Sequence, residues 1–265
     1  ASPIRTLYSV QLLTLPEVKK VVPCRSFRTL RLSVTPLCNM TCTYCNPAGV
    51  PFLGRVKEAD FYTRIVRDLL QTQDISQIQL TGGEPAIYPH LTALIRQLRS
   101  LPLERLSLTT NGLALHRRAA EWQAAGLTDI NVSLDAMDPR IFQTMTGCGD
   151  HERILQGIVT ARKLGLPVKI NATIMRNHNE DQILPLLLFG REQGAPVRYL
   201  ELMAMGPLTG NHRSLFFSRA EILQRIEQSF PVQSLGRPVG GTAEYFLADG
   251  IRFGIIANHS ASFCE

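Results

Sequence analysis

The chain has 265 residues, of which 45% are hydrophobic, so it can bury one sizeable core and we expect one main domain. Its longest apolar stretch, residues 183–189, is short and interrupted by Pro185, which argues against a membrane span, and the N-terminus lacks a charged-then-apolar signal pattern. The net charge of +6 comes from dispersed Lys and Arg, which argues against a long nucleic-acid footprint and favours a small anionic substrate.

Cysteine usage indicates the compartment. The chain has six cysteines, and three of them lie close together in a spacing that suits a metal. This pattern indicates a reducing compartment rather than a disulfide framework, so we expect a soluble, cytoplasmic protein. Cys24 and Cys148 are expected to be free thiols.

An N-terminal segment, residues 1–27, precedes a series of short β-rich runs, each followed by a longer segment with helical spacing. The predicted strands are residues 30–34, 78–80, 106–108, 130–133, 168–170 and 197–200. The first helical segment carries an apolar stripe of Phe61, Ile65 and Leu69, and later helices are predicted at 89–100, 115–125, 151–164 and 180–193. Gly126, Gly165 and Gly194 are predicted to end the last three.

Strands that alternate with helices imply a parallel sheet with right-handed crossovers. Six such units predict an α/β fold, a TIM-like partial (βα)6 barrel that covers residues 28–205. Residues 206–265 form a C-terminal extension in this interpretation. The extension is predicted to contain a loop at 206–213, a capped helix at 218–229 and a hairpin of 245–247 with 251–256 that turns at Asp249-Gly250.

The run Cys38-Asn39-Met40-Thr41-Cys42-Thr43-Tyr44-Cys45 follows the first predicted strand. Three thiolates in this C-x3-C-x2-C spacing can hold three irons of a 4Fe-4S cube and leave the fourth iron open to a non-protein ligand. A zinc knuckle or an electron-transfer cluster would need a fourth ligand nearby. The next cysteine is Cys148 and the nearest downstream histidine is His90, so the motif favours the open cluster over both alternatives.

Polar residues follow every predicted strand, at the carboxyl ends where parallel α/β barrels bind ligands. After the cysteine run they are Thr81-Gly82-Gly83-Glu84-Pro85, Thr109-Thr110-Asn111-Gly112, Ser133-Leu134-Asp135, Asn171-Ala172-Thr173 and Glu201-Leu202-Met203. Each tip alone is more simply a turn, a helix cap or a core residue. Together with the cysteines, they predict one binding mouth in which Gly82-Gly83 lets the backbone approach a ligand and Glu84 can receive an ammonium.

The pattern C-x3-C-x-Tyr-Cys resembles the motif of the radical S-adenosylmethionine (SAM) enzymes. In that family SAM chelates the open iron through its amino and carboxylate groups, and an electron from the cluster cleaves it to a 5'-deoxyadenosyl radical. The resemblance implies that Gly82, Gly83 and Glu84 hold the amino group of SAM. The resemblance also implies that Tyr44 and Ser133 contact SAM and that Met203 lies against the adenine side of SAM.

Segments along nearly the whole chain resemble those of one family in particular, the GTP 3',8-cyclases of molybdenum cofactor biosynthesis. They are Leu-Arg-Leu-Ser-Val-Thr before Cys38, Leu-Thr-Gly-Gly-Glu-Pro, Leu-Thr-Thr-Asn-Gly, Asn-Val-Ser-Leu-Asp and Glu-Leu-Met-Ala-Met-Gly. That family has a partial barrel, a first cluster for SAM and a second cluster that contacts guanine. The radical removes the ribose 3' hydrogen, and the sugar carbon attacks C8 of the purine. We also expect an electron donor such as flavodoxin or ferredoxin, and a homodimer as a candidate assembly.

The resemblance also implies which residues contact the nucleotide: Arg31, Gln79, Thr110, Lys169 and Arg198, with Arg31 and Lys169 counted among the catalytic residues. Arg and Lys suit phosphate oxygens. Gln77 and Gln79 stand where the family has Lys and Arg, and neutral amides cannot supply a charge-assisted hydrogen bond. We therefore expect either a nucleotide with fewer phosphates or GTP held mainly by Arg31, Lys169 and Arg198.

The last residues, Ser262-Phe263-Cys264-Glu265, resemble the start of the second-cluster motif, so we expect Cys264 to be a ligand of a second 4Fe-4S cluster. The two further cysteines of that motif do not occur among these 265 residues, and Cys148 stands where an Arg is usual. Whether a second site is lost or belongs to a longer chain stays open. The alternatives are a radical SAM enzyme for another nucleotide, a nucleoside or a peptide, and a non-catalytic electron carrier, which the Gly-Gly-Glu-Pro tip argues against.

Overall fold

The computed structural model describes residues 28–45, 56–204, 208, 210 and 212–260. The N-terminal segment 1–27, with Cys24, lies outside the described residues, and so does Cys264. Half of the predicted loop at 206–213, residues 206, 207, 209 and 211, also lies outside them.

One nine-stranded sheet organises the described chain, with the strand order β1-β2-β3-β4-β5-β6-β9-β8-β7. The strands are β1 Thr29–Ser33, β2 Gln77–Thr81, β3 Arg105–Thr110, β4 Asp129–Ser133, β5 Val168–Ile174, β6 Val197–Glu201, β7 Val232–Gly236, β8 Glu244–Ala248 and β9 Ile251–Ile256. Strands β1 to β6 pair in parallel in chain order. The sheet is open because β1 and β7 are its two ends, so the predicted partial barrel is confirmed.

The two faces of the parallel strands differ in polarity. Alternate residues on one face are apolar and fully buried beneath the helices, among them Ile78, Leu80, Leu106, Leu108 and Ile130. The opposite face carries polar and charged residues in register across the strands, such as Gln79, Asn131 and Lys169. The apolar face therefore builds the core, and the polar face lines the lumen of the partial barrel.

The helices are α1 Ala59–Leu70, α2 Leu91–Arg99, α3 Leu115–Ala124, α4 Pro139–Thr146, α5 His151–Lys163, α6 Ile183–Glu192, α7 His212–Leu215 and α8 Arg219–Glu227. The predicted helices are confirmed, except that residues 180–182 form a separate 3-10 turn before α6. Gly126, Gly165 and Gly194 have positive φ angles just beyond α3, α5 and α6, as the predicted stops require.

Two elements, α4 and β7, are not predicted by the sequence pattern, and the first half of α7 falls within the predicted loop at 206–213. The ends of α4 have clear local causes, because the Asp138 carboxylate accepts hydrogen bonds from Arg140 N and Ile141 N, and Gly147 has a φ of 67°. β7 is mostly exposed and lacks the apolar alternation by which strands are recognised.

The C-terminal residues extend the same sheet. The predicted hairpin is confirmed as β8 and β9, and it turns at Asp249 and Gly250, which have φ angles of 48° and 77°. β9 then pairs in parallel with β6. The predicted capped helix is α8, which begins with a capping box of Ser218 and Glu221. Within the described ranges, the helices are too short or too polar to cross a membrane.

Candidate active site

The chain that leads into the cysteine run packs tightly against the tip of β2. Gly83 N donates a hydrogen bond to Thr35 O (2.7 Å), and Glu84 N donates one to Leu37 O (2.7 Å). A Cβ atom at Gly82 or Gly83 would overlap the backbone of residues 35–37. The two glycines are therefore required for the close approach of two strand tips, in addition to any contact with a ligand.

The other side of the cysteine run is held by the C-terminal end of α4. Thr41 N donates to Thr146 O (3.0 Å), and Thr43 N donates to Met145 O (2.8 Å). A Cβ at Gly147 would overlap the Thr41 hydroxyl. The sequence analysis missed this support, although the Asp-Pro pair at 138–139 and the following Gly147 are ordinary helix start and stop signals.

The three thiols lie near one another at this mouth. Cys38 and Cys42 are half-buried, whereas Cys45 is exposed. Burial raises the pKa of the Cys38 thiol, and it raises the pKa of Cys42 to about 12, with further contributions from Asp135, Cys38 and Cys45. The thiolates would therefore repel one another unless a cationic group is bound between them.

The donor set fits an iron–sulfur cluster better than a single metal ion. Among the described residues, no three His, Cys, Asp or Glu side chains converge on one ion position. A structural zinc ion takes four ligands, whereas the cysteine run supplies three thiolates. In a 4Fe-4S cube each thiolate binds a different iron, so the three sulfurs need not meet at one point. Cys38, Cys42 and Cys45 fit that arrangement.

Glu84 joins the tips of β2 and β3. Its side chain is buried, with only 2% exposed. Oε1 accepts hydrogen bonds from Thr110 Oγ1 (2.7 Å) and Ala86 N (2.8 Å), and Oε2 accepts one from Asn111 N (2.6 Å). Burial raises the pKa of Glu84, and these hydrogen bonds oppose the rise. The Thr110 hydroxyl, which we expected at the nucleotide, therefore donates to Glu84.

Two side-chain pairs tie the cysteine run to other strand tips. Asn111 Nδ2 donates to Asn39 Oδ1 (2.8 Å). The Tyr44 hydroxyl donates to Asp135 Oδ2 (2.6 Å), and Asp135 Oδ1 accepts from Thr173 N (2.8 Å). Burial raises the pKa of Asp135 to about 6 and also raises that of Tyr44. Asp135 thus holds the ring of Tyr44 in one orientation.

The remaining predicted SAM contacts also lie at the carboxyl ends of the strands. Ser133 ends β4, is half-buried and lies beside Asn171 of β5. Met203 follows β6 and is 45% exposed. These positions agree with one shared mouth, and their contacts with SAM stay predictions.

The predicted nucleotide residues other than Thr110 lie on the strands below this mouth. Arg198 donates from Nη2 to Asn131 Oδ1 (2.7 Å) and from Nε to Asn171 Oδ1 (2.9 Å). Burial lowers the pKa of Lys169, and the nearby positive charge of Arg198 lowers it further. Arg31 is exposed on the edge strand β1, in register with Gln79 of β2. The structure therefore brings Lys169 and Arg198 together, whereas Arg31 lies at the other side of the opening.

A family model described as the radical SAM superfamily matches residues 32–190. The chain belongs to the radical SAM superfamily. A second model, described as Molybdenum Cofactor Synthesis C, matches residues 195–265.

Curated relatives of this radical SAM chain are named GTP 3',8-cyclase. The protein from Rhizobium etli is 34% identical over 250 residues, which cover 91% of this chain and 71% of the relative. The Streptomyces coelicolor protein is 35% identical over 245 residues, covering 89% and 72%. The Staphylococcus aureus protein is 36% identical over 253 residues, covering 91% and 74%.

Solved structures support the radical SAM fold. Streptococcus suis SuiB bound to S-adenosylmethionine has a TM-score of 0.65 and 17% identity, covering 77% of this chain and 47% of SuiB. TYW1 with a lysine-pyruvate adduct has a TM-score of 0.60 and 16% identity, covering 85% of this chain and 81% of TYW1. This chain thus spans less than half the length of SuiB.

One buried carboxylate in this radical SAM chain, at the predicted tip of β6, holds distant segments together. Glu201 ends β6 and is 2% exposed. Its oxygens accept hydrogen bonds from Arg219 N (2.7 Å), His259 N (2.9 Å) and Ser260 N (3.0 Å). Glu201 therefore fixes both the start of α8 and the turn at 259–260. A glutamate at the end of a predicted strand was the available signal, but its partners are distant in sequence.

Proposed function

We propose that this protein is a GTP 3',8-cyclase that makes (8S)-3',8-cyclo-7,8-dihydroguanosine 5'-triphosphate for molybdenum cofactor biosynthesis. The proposal rests on the cysteine run, which backbone hydrogen bonds hold at the mouth of a lumen that contains Lys169 and Arg198. The three bacterial relatives of that name and the match to Molybdenum Cofactor Synthesis C support it.

In this proposal, the three cysteines at 38, 42 and 45 hold a 4Fe-4S cluster, which with bound SAM supplies the 5'-deoxyadenosyl radical. The tip of β2, residues 82–84, orients the amino group of SAM. Tyr44 lies beside SAM and is kept in place by the Asp135 carboxylate. Ser133 and Met203 complete the contacts at the mouth.

The lumen holds the nucleotide with its ribose toward the mouth and its phosphates toward the amino ends of the strands. Arg31, Lys169 and Arg198 bind the phosphates, because Arg and Lys form charge-assisted hydrogen bonds with phosphate oxygens. Thr110 acts through its hydrogen bond to Glu84. The ribose C3' would give its hydrogen atom to the 5'-deoxyadenosyl radical and form a bond to C8 of guanine, and one electron from the reductant with one proton from solvent would complete the 7,8-dihydro ring. The bound orientation brings C3' and C8 together.

The test is anaerobic cluster reconstitution of the protein, followed by measurement of 5'-deoxyadenosine and of the cyclised nucleotide. Cys42→Ala should abolish both products, since the cluster loses one of its three thiolates. Cys148→Ala is the matched control, because this thiol is also half-buried but lies outside the cysteine run. Formation of 5'-deoxyadenosine by Cys42→Ala under dithionite would contradict the assignment, and its absence in the wild type would favour an electron carrier.

A second candidate is favoured by the two glutamines at the start of β2. Gln77 and Gln79 share the inner face of the strand, where the family that the chain resembles has Lys and Arg. Losing two charge-assisted hydrogen bonds of roughly 1.5–3 kcal/mol each would weaken nucleotide binding by about two to four orders of magnitude without compensation. In this alternative the substrate carries fewer phosphates than GTP.

The affinities of GTP, GMP and guanosine distinguish the two candidates, measured in the wild type and in Gln79→Arg. A nucleotide with fewer phosphates predicts little preference for GTP in the wild type and a clear gain in Gln79→Arg. If the wild type prefers GTP over GMP by several hundredfold and Gln79→Arg changes nothing, the two glutamines do not decide the substrate.

The proposal extends to a second cluster and to partners. Cys264 matches the first cysteine of the family's C-terminal motif, so we assign it to a second 4Fe-4S cluster in a chain that carries the whole motif. A count of about four irons in such a chain would contradict this assignment, since two clusters hold about eight. Reduction by flavodoxin or ferredoxin and light scattering in solution test the electron donor and the homodimer.

A further inference from the structure

Arg105 occupies a position in the lumen that the sequence analysis did not assign. It is the first residue of β3 and lies in register with Gln77 of β2, on the polar face. Lys169 is the second residue of β5 and Arg198 the second of β6, so all three cations lie near the amino ends of the strands. This end of the lumen is opposite the cysteine mouth, at a distance of roughly one five-residue strand, about 16 Å.

Asp129, the first residue of β4, holds two of these cations. Arg105 donates to Asp129 Oδ2 from Nε (2.7 Å) and to Oδ1 from Nη2, and Lys169 Nζ lies 3.5 Å from Oδ1. The Asp129 side chain is only 7% exposed, whereas Arg105 and Lys169 keep 37% and 28%. The carboxylate is therefore shielded in the wall, and the two cations remain partly exposed on the polar face of the sheet.

The cluster has more positive than negative charge. Arg105, Lys169 and Arg198 face the single carboxylate of Asp129, and Tyr245 lies close to Arg105 and Arg198. After burial, which is the main cause, the charges of Arg105 and Arg198 lower the pKa of Lys169, while Asp129 raises it. Arg105 Nη1 donates to none of the residues that the structure describes. An anion in the lumen would relieve the repulsion and accept from these donors.

We propose that Arg105 is a substrate-binding residue that supplies the phosphate-binding charge absent at Gln77 and Gln79, and that Asp129 is only its counterion in the wall. The inference rests on the proposed function, and it specifies how this chain binds a nucleoside triphosphate. Gln77 lies directly beside Arg105 across the β2–β3 pair, so a charge lost on one strand is replaced on its neighbour. The competing interpretation is that Arg105 and Asp129 form only a structural ion pair in the wall.

Two substitutions separate these interpretations, because they break the same ion pair but change the charge of the site in opposite directions. Arg105→Gln removes a cation, and Asp129→Asn removes the anion. Affinities for GTP, guanosine and inorganic triphosphate are measured by calorimetry on the reconstituted protein. Arg105→Gln should weaken the binding of GTP and of triphosphate by about 10- to 150-fold and leave the affinity for guanosine unchanged. Asp129→Asn should not weaken the binding of either anion.

Arg105→Lys keeps the charge and should retain part of the affinity for GTP. Arg28→Gln is the matched control, since it removes a cation from an exposed ion pair with Glu104 outside the lumen. Circular dichroism and thermal unfolding of each variant identify a loss caused by misfolding, which would lower guanosine binding as well.

The outcomes separate the inference from the proposed function. Unchanged GTP affinity in Arg105→Gln, or equal losses in Arg105→Gln and Asp129→Asn, would leave only a structural ion pair and overturn the inference. Suppose that the wild type does not cyclise GTP, and that triphosphate binding is lost in Arg105→Gln but kept in Asp129→Asn. The inference then stands and the proposed function fails. If the wild type cyclises GTP and Arg105→Gln binds it normally, the function stands and the inference is overturned.

Discussion

Replacing Glu84 with Gln tests the buried carboxylate that joins two strand tips. Its oxygens accept from three donors, Thr110 Oγ1, Ala86 N and Asn111 N. Gln offers one acceptor oxygen, and its NH2 group must face a donor in either orientation. An unsatisfied buried group costs about 1–3 kcal/mol, so we expect the free energy of unfolding to fall by about that amount. Because Gln also removes a buried charge that burial penalises, we expect the loss of stability to lie at the lower end of this range.

The same substitution removes the negative charge proposed to receive the SAM ammonium. A hydrogen bond to a charged group contributes roughly 1.5–3 kcal/mol, so SAM affinity should fall by about 10- to 150-fold. Equilibrium dialysis on the reconstituted protein measures this, and urea denaturation of the cluster-free protein measures stability. Glu104→Gln is the control because its ion pair with Arg28 is exposed. Wild-type SAM affinity together with wild-type stability in Glu84→Gln would refute both parts of the reasoning.

Gly83→Ala should destabilise the protein by about 1–3 kcal/mol and reduce iron loading, because the new Cβ would overlap Leu37 O. Gly149→Ala is the control, since a Cβ has room there. Equal thermal unfolding temperatures of the two variants would contradict this prediction. Folding raises the pKa of Asp135 from 3.8 to about 6, so its contribution to stability is present below pH 4 and lost as the pH rises through 6. The free energy of unfolding of the wild type minus that of Asp135→Asn, measured by urea denaturation, should thus fall by about 3 kcal/mol between pH 4 and pH 6. A difference that stays constant with pH would refute this prediction. Asn179→Asp should cost more than about 3 kcal/mol by the same assay, since Nδ2 donates to two backbone oxygens; an unchanged midpoint would contradict it.

The strands and the cysteine mouth could be predicted from the sequence because their signals are local. Each parallel strand is a short run in which apolar and polar residues alternate before a polar tip, and the cysteine spacing is contained in residues 38–45. Gly126 and Gly165 followed helices that were themselves visible from their period, and both have the positive φ of a helix stop. Local pattern and local geometry agree at these positions.

The partners of the site residues could not be predicted, because they depend on register between distant segments. Arg105 and Asp129 meet only because β3 pairs with β4 in one particular register. Asp135 reaches Tyr44 across 91 positions of sequence. Gly82 was recognised as a place of close approach, but which backbone approaches it follows from the packing of β1 against β2. A single sequence contains no direct signal for such pairings.

The return of the chain through β9 protects the far side of the barrel from self-association. Without β9, β6 would be an edge strand with unpaired backbone groups and a buried, apolar face. β8 and β7 move the edge two strands outward, and β7 ends the sheet with exposed residues such as Gln233 and Ser234 and with a register shift before Gly236. A fragment that stops before residue 230 would thus present β6 as a template for intermolecular strand pairing, and we expect it to aggregate.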